Sequence, residues 1–316
     1  MLDGVSLDQL RTFIAAADEG SFSAAARKLN RVQSAVSGWV SGLEGQIGVT
    51  LFDRTGRFPR LTPEGAMVLA DARAIVASVD TLKARARLMA AGVEPELSVV
   101  IDVLFPTQAV SAAAREFASQ FPLTPLRLYV EGLGAAYEPV VDGRCSLGIL
   151  AELPVHFPSL VAERLGQVAL VMVAAPGHPL AALTGPIARA ALAPHVQLVL
   201  TDRSALLAGQ DYGVFGHTSW RLADLSTKYA FLKDGLGWGG MPLHMVENDI
   251  AAGTLVRLDV EDLPPGGTLV TMNAVHAGAT PPGPAGKWFI DRLRLCSGHA
   301  AGGWAGAHAR PSISPR

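Results

Sequence analysis

The hydrophobic positions of this chain follow three different rhythms. From Leu7 to Ile47 they recur every three or four residues, the spacing that gives a helix one buried stripe. Leu10, Phe13, Ile14 and Ala17 form the inner face of a helix predicted over 7–19. A shorter helix follows over 22–29, with Ser23 placed as its N-cap. After a tight turn at Asn30 and Arg31, a third helix turns Ala35, Val36, Trp39, Val40, Leu43 and Ile47 inward. The rhythm then narrows. Thr62 as N-cap and Pro63 at the first helical position open a long helix. In it Val68, Ala72, Ile75, Val79, Leu82, Ala86 and Met89 alternate steps of four and three, a heptad seam slimmer than a core-facing stripe. Beyond the hinge-like Gly92-Val-Glu-Pro-Glu96, short apolar runs alternate with helical stretches. Strands are predicted over 97–103, 126–131, 147–150, 168–174, 195–201, 237–241, 255–258 and 268–276. Helices are predicted over 107–121, 137–142, 225–236, 242–252 and 287–295. That alternation predicts α/β units on mostly parallel sheets, and its length suits two subdomains with a cleft between them. Residues 298–316, rich in Gly, Ala, Pro and Ser, are expected to form a disordered tail.

The polar positions sharpen the picture at the N-terminus. Opposite the buried stripe, the third helix opens with Gln33, Ser34 and Ser37, short polar side chains able to reach base edges or phosphates. Helix, short turn and longer helix with a polar leading face is the arrangement that enters a DNA major groove. The same periodicity also fits a helical hairpin without a ligand, because periodicity reports packing. After Gly48, Leu51-Phe-Asp-Arg54 and Gly56-Arg57-Phe-Pro-Arg60-Leu-Thr62 predict a two-stranded wing. It carries three arginines suited to gripping phosphate in a bidentate way. The candidate DNA-contacting set is Ser23, Arg31, Gln33, Ser34, Ser37, Arg54, Arg57 and Arg60.

Several spaced segments together resemble one family: Leu7-Asp-Gln-Leu-Arg-Thr-Phe13, Gly20-Ser-Phe-Ser-Ala-Ala-Ala26, Gln33-Ser-Ala-Val-Ser37, Leu43-Glu44, Gly48 and Leu51-Phe-Asp-Arg54. They are similar to the winged helix-turn-helix of the LysR-type transcriptional regulators. The resemblance implies an N-terminal all-α winged head over 1–62 that reads double-stranded promoter DNA. It also implies a linker helix over 63–92 through which such proteins dimerise. Residues 93–297 resemble the family's effector-binding region, an α/β periplasmic-binding-protein-like domain of two subdomains. Gly177-His-Pro-Leu180 and Gly235-Leu-Gly-Trp-Gly-Gly-Met-Pro242 carry that likeness. The expected partners are promoter DNA, a small-molecule effector (an aromatic compound or a small acid), further copies of the chain in a homodimer or tetramer, and RNA polymerase if the outcome is activation. One departure stands out: Gly38, Ser41, Gly42 and Gly45 replace the basic or long polar residues usual after Ser37.

Composition adds limits. At 316 residues, 49% hydrophobic and 17% charged, the chain suits two or three compact units and not a disordered polymer. Its net charge of -2 gives no general attraction to nucleic acid. Within residues 1–62, Lys and Arg at 11, 27, 28, 31, 54, 57 and 60 nearly balance Asp and Glu at 3, 8, 18, 19, 44 and 53. DNA affinity should therefore lean on dimerisation and the wing. No apolar run approaches the ~20 residues that span a bilayer, and no secretory signal opens the chain. Cys145 and Cys296 lack ligand-spaced neighbours and are expected to be free thiols in a reducing cytoplasm.

No nucleophile elbow, metal-ligand cluster or close acid–base pair marks a catalytic centre, and no cofactor or metal is expected. His156, His178, His195, His217, His244 and His276 are scattered, and His299 and His308 are isolated in the tail. Gly235, Gly237 and Gly240 spell a G-x-G-x-x-G. The motif nevertheless follows a helix and leads into a strand, the reverse of a phosphate-binding fingerprint. A ligand is better placed at strand C-termini and helix N-termini. Asp102 ends the first strand and Thr107 opens the next helix, either to cap it or to face a ligand. Asp202 and Arg203, with Ser204, hold an equivalent place after a later strand. Trp238, or Trp220, would supply aromatic surface if it faced the cleft. The competing class is a small-molecule-binding module or enzyme whose N-terminal helices serve only assembly.

Overall fold

A computed structural model describes residues 4–207, 212–297 and 304–306. The chain divides into two compact units, Met1–Ala90 and Ala91–Arg316.

The first unit is a helical head. Helix α1 (Leu7–Glu19) is closed by a capping box between Ser6 and Gln9. It packs with α2 (Phe22–Lys28) and α3 (Gln33–Ile47) around Phe13, Val36, Val40 and Leu43. Leu10, Phe13, Ala15 and Ala16 of α1 are buried in the core, while Ile14 and Ala17 lie at its rim. Strands β1 (Phe52–Asp53) and β2 (Arg60–Leu61) pair antiparallel as the wing. Helix α4 (Pro63–Ala90) starts where the Thr62 hydroxyl accepts a hydrogen bond from the Gly65 amide at 2.8 Å. Its first turns lay Leu69, Ala72 and Val76 on the head's core, and Arg11–Asp80 and Arg73–Asp18 tie it to α1. Ala72, a position of the predicted seam, is therefore buried inside the head itself.

The second unit is built on one mixed sheet. Its elements run β3 (Leu97–Asp102), α5 (Thr107–Gln120), β4 (Leu126–Glu131), α6 (Gly134–Val141), β5 (Leu147–Ala151) and β6 (Leu160–Ala174). Then come α7 (Arg189–Leu192), β7 (Gln197–Leu200), β8 (Ser219–Leu222), α8 (Leu225–Lys233), β9 (Trp238–Pro242) and α9 (Leu243–Ala252). Strands β10 (Val256–Arg257) and β11 (Thr268–Ala277), helix α10 (Pro284–Ser297) and strand β12 (Trp304–Gly306) complete it. The strand order is β4-β3-β5-β11-β6-β9-β7-β8, with β10 and β12 also on β6. The outer trios β4-β3-β5 and β9-β7-β8 are parallel, whereas β5-β11, β11-β6 and β6-β9 are antiparallel. This corrects the expectation of a mostly parallel sheet. The first two antiparallel pairs arise because the returning strand β11 inserts between β5 and β6 and runs against both.

Two lobes share this sheet. In β3, Val99 and Ile101 face a core with Phe117 of α5 and Phe289 of α10, while Val100 faces Ala136 and Tyr137 of α6. In β6, Val171 and Val173 face α8 and α9, and Met172 and Ala174 face Leu180, Leu192 and Trp238. Both faces are covered, which explains why these strands read as unbroken apolar runs. Strand β6 carries the chain from the first lobe to the second and β11 returns it. The linker residue Glu94 belongs to this unit: its carboxylate accepts from the Ala285 and Gly286 amides, both at 2.9 Å, and caps α10. Within the segment expected to be disordered, β12 pairs with Gly166–Val168, the stretch of β6 that β9 does not reach. The rest of the tail, with His299 and His308, and the Cys296 side chain lie outside the described residues; Cys145 is a buried free thiol.

Candidate DNA-reading head and effector cleft

The leading turn of α3 is bare. Gln33 and Ser34 are exposed, Ser37 is half-buried, and the N-cap Val32 offers no capping side chain. The turn before it is set by Asn30, whose φ of 52° is a left-handed conformation that asparagine tolerates. Ser21, not Ser23, caps α2 by accepting from the Ala24 amide; Ser23 lies inside the helix and accepts from Arg27. The Arg31 guanidinium rests 5.1 Å from the centre of the Trp39 ring. Glu44 joins helix to wing. One carboxylate oxygen accepts from the Leu51 and Phe52 amides at 2.8 and 3.2 Å, and the other from Arg54 at 2.6 Å. Arg54 also donates to the Ser41 hydroxyl at 3.0 Å and lies over the Phe22 ring. Its guanidinium is thus engaged inside the head. Arg57 and Arg60, by contrast, are exposed on the wing.

In the second unit, the ends of β3, β4 and β7 converge on a cavity of about 220 Å³ lined by Val103, Val130, Gly132, Leu200, Thr201, Arg203, Ala223 and Asp224. Two carboxylates organise its walls. Asp102 is buried, and burial raises its pKa to about 6 against the opposing pull of the Leu104, Ala151 and Leu133 amides. Leu133 is held at φ 57°, ψ -136°, a conformation that costs a β-carbon residue about 1–3 kcal/mol. Burial, with the Asp102 charge, pushes the Tyr137 phenol up to about 12. That phenol donates to the Ala151 carbonyl at 2.9 Å. The other carboxylate is Asp202. It leaves the second lobe after β7 and accepts from the Ala135 amide at 3.0 Å, at the N-terminus of α6 in the first lobe. Gly134 makes room for it, since a β-carbon there would stand 2.5 Å from an Asp202 oxygen. Beside it, Arg203 pairs with Glu131.

Comparison with known proteins decides what this pair of units is. Residues 7–66 match the bacterial regulatory helix-turn-helix protein, lysR family, and residues 90–295 match the LysR substrate binding domain. The chain belongs to the LysR family of transcriptional regulators. The HTH-type transcriptional regulator YhaJ of Escherichia coli O157:H7 is 31% identical over 255 residues, which cover 79% of this chain and 85% of YhaJ. Two solved structures share the fold. The OxyR C206 mutant of Corynebacterium glutamicum has 20% identity and a TM-score of 0.57, covering 92% of each chain. Full-length CbnR complexed with its target DNA has 21% identity and a TM-score of 0.52, covering 92% of this chain and 99% of that one. This LysR-type chain is accordingly a DNA-binding transcriptional regulator with an effector-binding domain. Among the described residues no helix is long and apolar enough to cross a membrane.

The regulator's effector candidates fare unevenly. Arg203 lines the cavity, and Asp202 just before it bonds across to the first lobe at the Ala135 amide. Asp102 lies behind its wall, turned to backbone amides. Thr107 does not cap α5: the cap position is Pro106 with no side-chain bond, and Thr107 is the exposed first helical residue. Trp238 does not reach the cleft, being fully buried with Met172 and Leu180 and donating to the His195 carbonyl at 3.3 Å. The glycine motif has a packing cause. A β-carbon on Gly237 would stand 2.5 Å from the Val196 carbonyl, Gly235 takes a left-handed φ of 74°, and Gly239 between the motif positions meets the Leu198 carbonyl in the same way. Sequence reasoning missed Gly132, Gly134, Thr201 and Asp224. The pair of glycines directly after a strand was the readable signal for close approach.

Proposed function

We propose that this regulator reads promoter DNA with the first turn of α3, through Gln33, Ser34 and Ser37, while Arg57 and Arg60 of the wing hold phosphates. The observation that carries this is the exposure of Gln33 and Ser34 on a helix whose opposite side, Val36, Val40 and Leu43, is the head's core. Gly38 and Gly45 face open space, which lets the helix backbone approach the duplex closely. Ser23, Arg31 and Arg54 act by shaping the head. The chain works as a homodimer, or a tetramer built from dimers, joined through α4. It does so in the cytoplasm, where a promoter is accessible. A small-molecule effector binds between the two lobes of the second unit, and an activating outcome would run through RNA polymerase.

Titration of promoter fragments across several salt concentrations tests this. Gln33→Ala should lose roughly 1–3 kcal/mol of discrimination between operator and scrambled DNA if its contact is bidentate. Unchanged preference in Gln33→Ala and Ser34→Ala together would remove α3 from base reading. A thermal-shift screen of metabolites tests the effector, since a ligand bound only by the folded state raises Tm.

A further inference from the structure

The segment after β7 behaves as a strap across the cleft. Asp202 reaches the Ala135 amide of the opposite lobe, and its carboxylate is braced by the Ser204 amide at 3.1 Å and the Ser204 hydroxyl at 2.5 Å. Ser204 in turn accepts from the Leu206 amide at 3.2 Å, and Leu206 packs on the first lobe's cluster of Val100, Ala136 and Tyr137. The helix the strap clasps, α6, has no capping side chain of its own. Under the strap, Val103 and Leu104 of the first lobe pack on the second lobe's core beside Leu200. The Arg203–Glu131 pair is half-exposed and screened by salt, so of the two charged contacts across the cleft that of Asp202 is the firmer.

We propose that Asp202 is a built-in latch: its carboxylate occupies the α6 N-terminus in place of a ligand carboxylate and holds the effector cleft shut when no effector is bound. A small carboxylic acid is the ligand chemistry able to take its place, because it offers the same charge to the Ala135 amide at the start of α6. The inference rests on reading the cleft as the effector site. The ligand must then compete with the chain's own anion, so its apparent affinity reports the fraction of unlatched protein.

Thiol labelling of the full chain tests closure without DNA or effector. A Val103→Cys reporter sits in the cleft wall, and buried Cys145 serves as an internal control for unfolding. With N-ethylmaleimide and peptide mass spectrometry, Asp202→Ala should speed alkylation at position 103 at least fivefold while Cys145 stays protected. Gly134→Ala, which keeps the carboxylate but wedges it away, should do the same, and Asp202→Asn should fall between. Acetate, but not chloride at equal ionic strength, should slow the Asp202→Ala reaction again by refilling the site. Unchanged rates in Asp202→Ala and Gly134→Ala would overturn the latch. A fast Asp202→Ala rate that acetate does not touch would overturn the stand-in role of the carboxylate. If Asp202→Ala exposes Cys145, the decision passes to Gly134→Ala and Asp202→Asn, both of which must exceed wild type. A failed latch leaves the effector site itself to be judged by the thermal-shift screen.

Discussion

Lys228 shows how far packing can override the polarity of one residue. A lysine on a helix ordinarily reaches water, yet Lys228 of α8 is only 6% exposed, lies against Gly239 of β9, and has no hydrogen-bond or ion-pair partner among the described residues. Burial alone lowers its pKa to about 8. A base whose folded pKa lies below its unfolded value binds its proton less well when folded. Its contribution to stability is therefore complete above pH ~10.5 and is lost as pH falls through about 8. Lys228→Met should stabilise the effector unit by on the order of 3 kcal/mol at pH 7, or roughly 5–10 °C in Tm. The gain should shrink toward zero by pH ~10; a pH-independent difference would mean the ammonium is not the cause. The burial of Lys228 and of Asp102 could not be read from the sequence, because periodicity marks polar residues as outward and only tertiary packing buries them. Thr107 went the other way. A threonine opening a helix suggests a cap, and the chain uses Pro106 instead. Thr107→Ala should thus cost no more than a few tenths of a kcal/mol, against about 1 kcal/mol for a lost cap. Thermal melts check this, and a silent result would make Thr107→Ala a clean probe of effector response.

At the scale of elements, the helical head was the most legible part, since its 3.6-residue period, its turn and its wing are all local signals. Register within it was less so: the α2 cap lies two residues earlier than expected, because Ser21 and Ser23 compete for the same role. The sheet was legible as a set of strands but not in its directions, which depend on partners far along the chain. The polar opening of β6 also hid half its length: Glu163 and Arg164 are exposed, and only from Val168, past Gln167, does the strand become apolar on both faces. The wing carries its own prediction. Arg54 is bound to Glu44 and Ser41, whereas Arg57 and Arg60 point outward. Arg54→Ala should lower the head's Tm together with DNA affinity, because it uncouples wing from helix and leaves half-buried Glu44 without its cation. Arg57→Ala and Arg60→Ala should leave Tm unchanged, and each should flatten the dependence of log Kd on log salt by about 0.9 per lost phosphate contact. Melting curves and salt titrations of all three variants separate the two roles. Equal behaviour of the three would mean that the wing does not divide its arginines in this way.

For the whole molecule the decisive surface is α4. Beyond Val76 it leaves the head's core, and Ile75, Leu82 and Met89 stand 49%, 64% and 49% exposed at heptad spacing, with Val79 and Ala86 between them. A stripe of large apolar side chains this open is rarely left in water, and heptad repetition is the pattern that a second helix covers. Ala72 belongs to the head and Val68 to its rim, so the apolar stripe left open for a second helix is shorter than the sequence suggested and begins at Ile75. Assembly matters more here than for a strongly basic head. With near-neutral charge over its first 62 residues, one head gains little from bulk attraction, so binding two half-sites at once should supply roughly 10²–10⁴ in avidity. Leu82→Asp isolates this effect. In a monomer the substitution falls on exposed surface and should leave the fold intact, whereas across a seam it buries a carboxylate without a partner, typically at a cost of several kcal/mol. Sedimentation velocity should show dissociation, promoter affinity should fall by the avidity factor, and melting of the effector unit should not change. Leu69→Asp, placed in the head's own core, should instead unfold the head. An intact oligomer in Leu82→Asp would show that the copies of this regulator join through a different surface, and the exposed stripe of α4 would then require another partner.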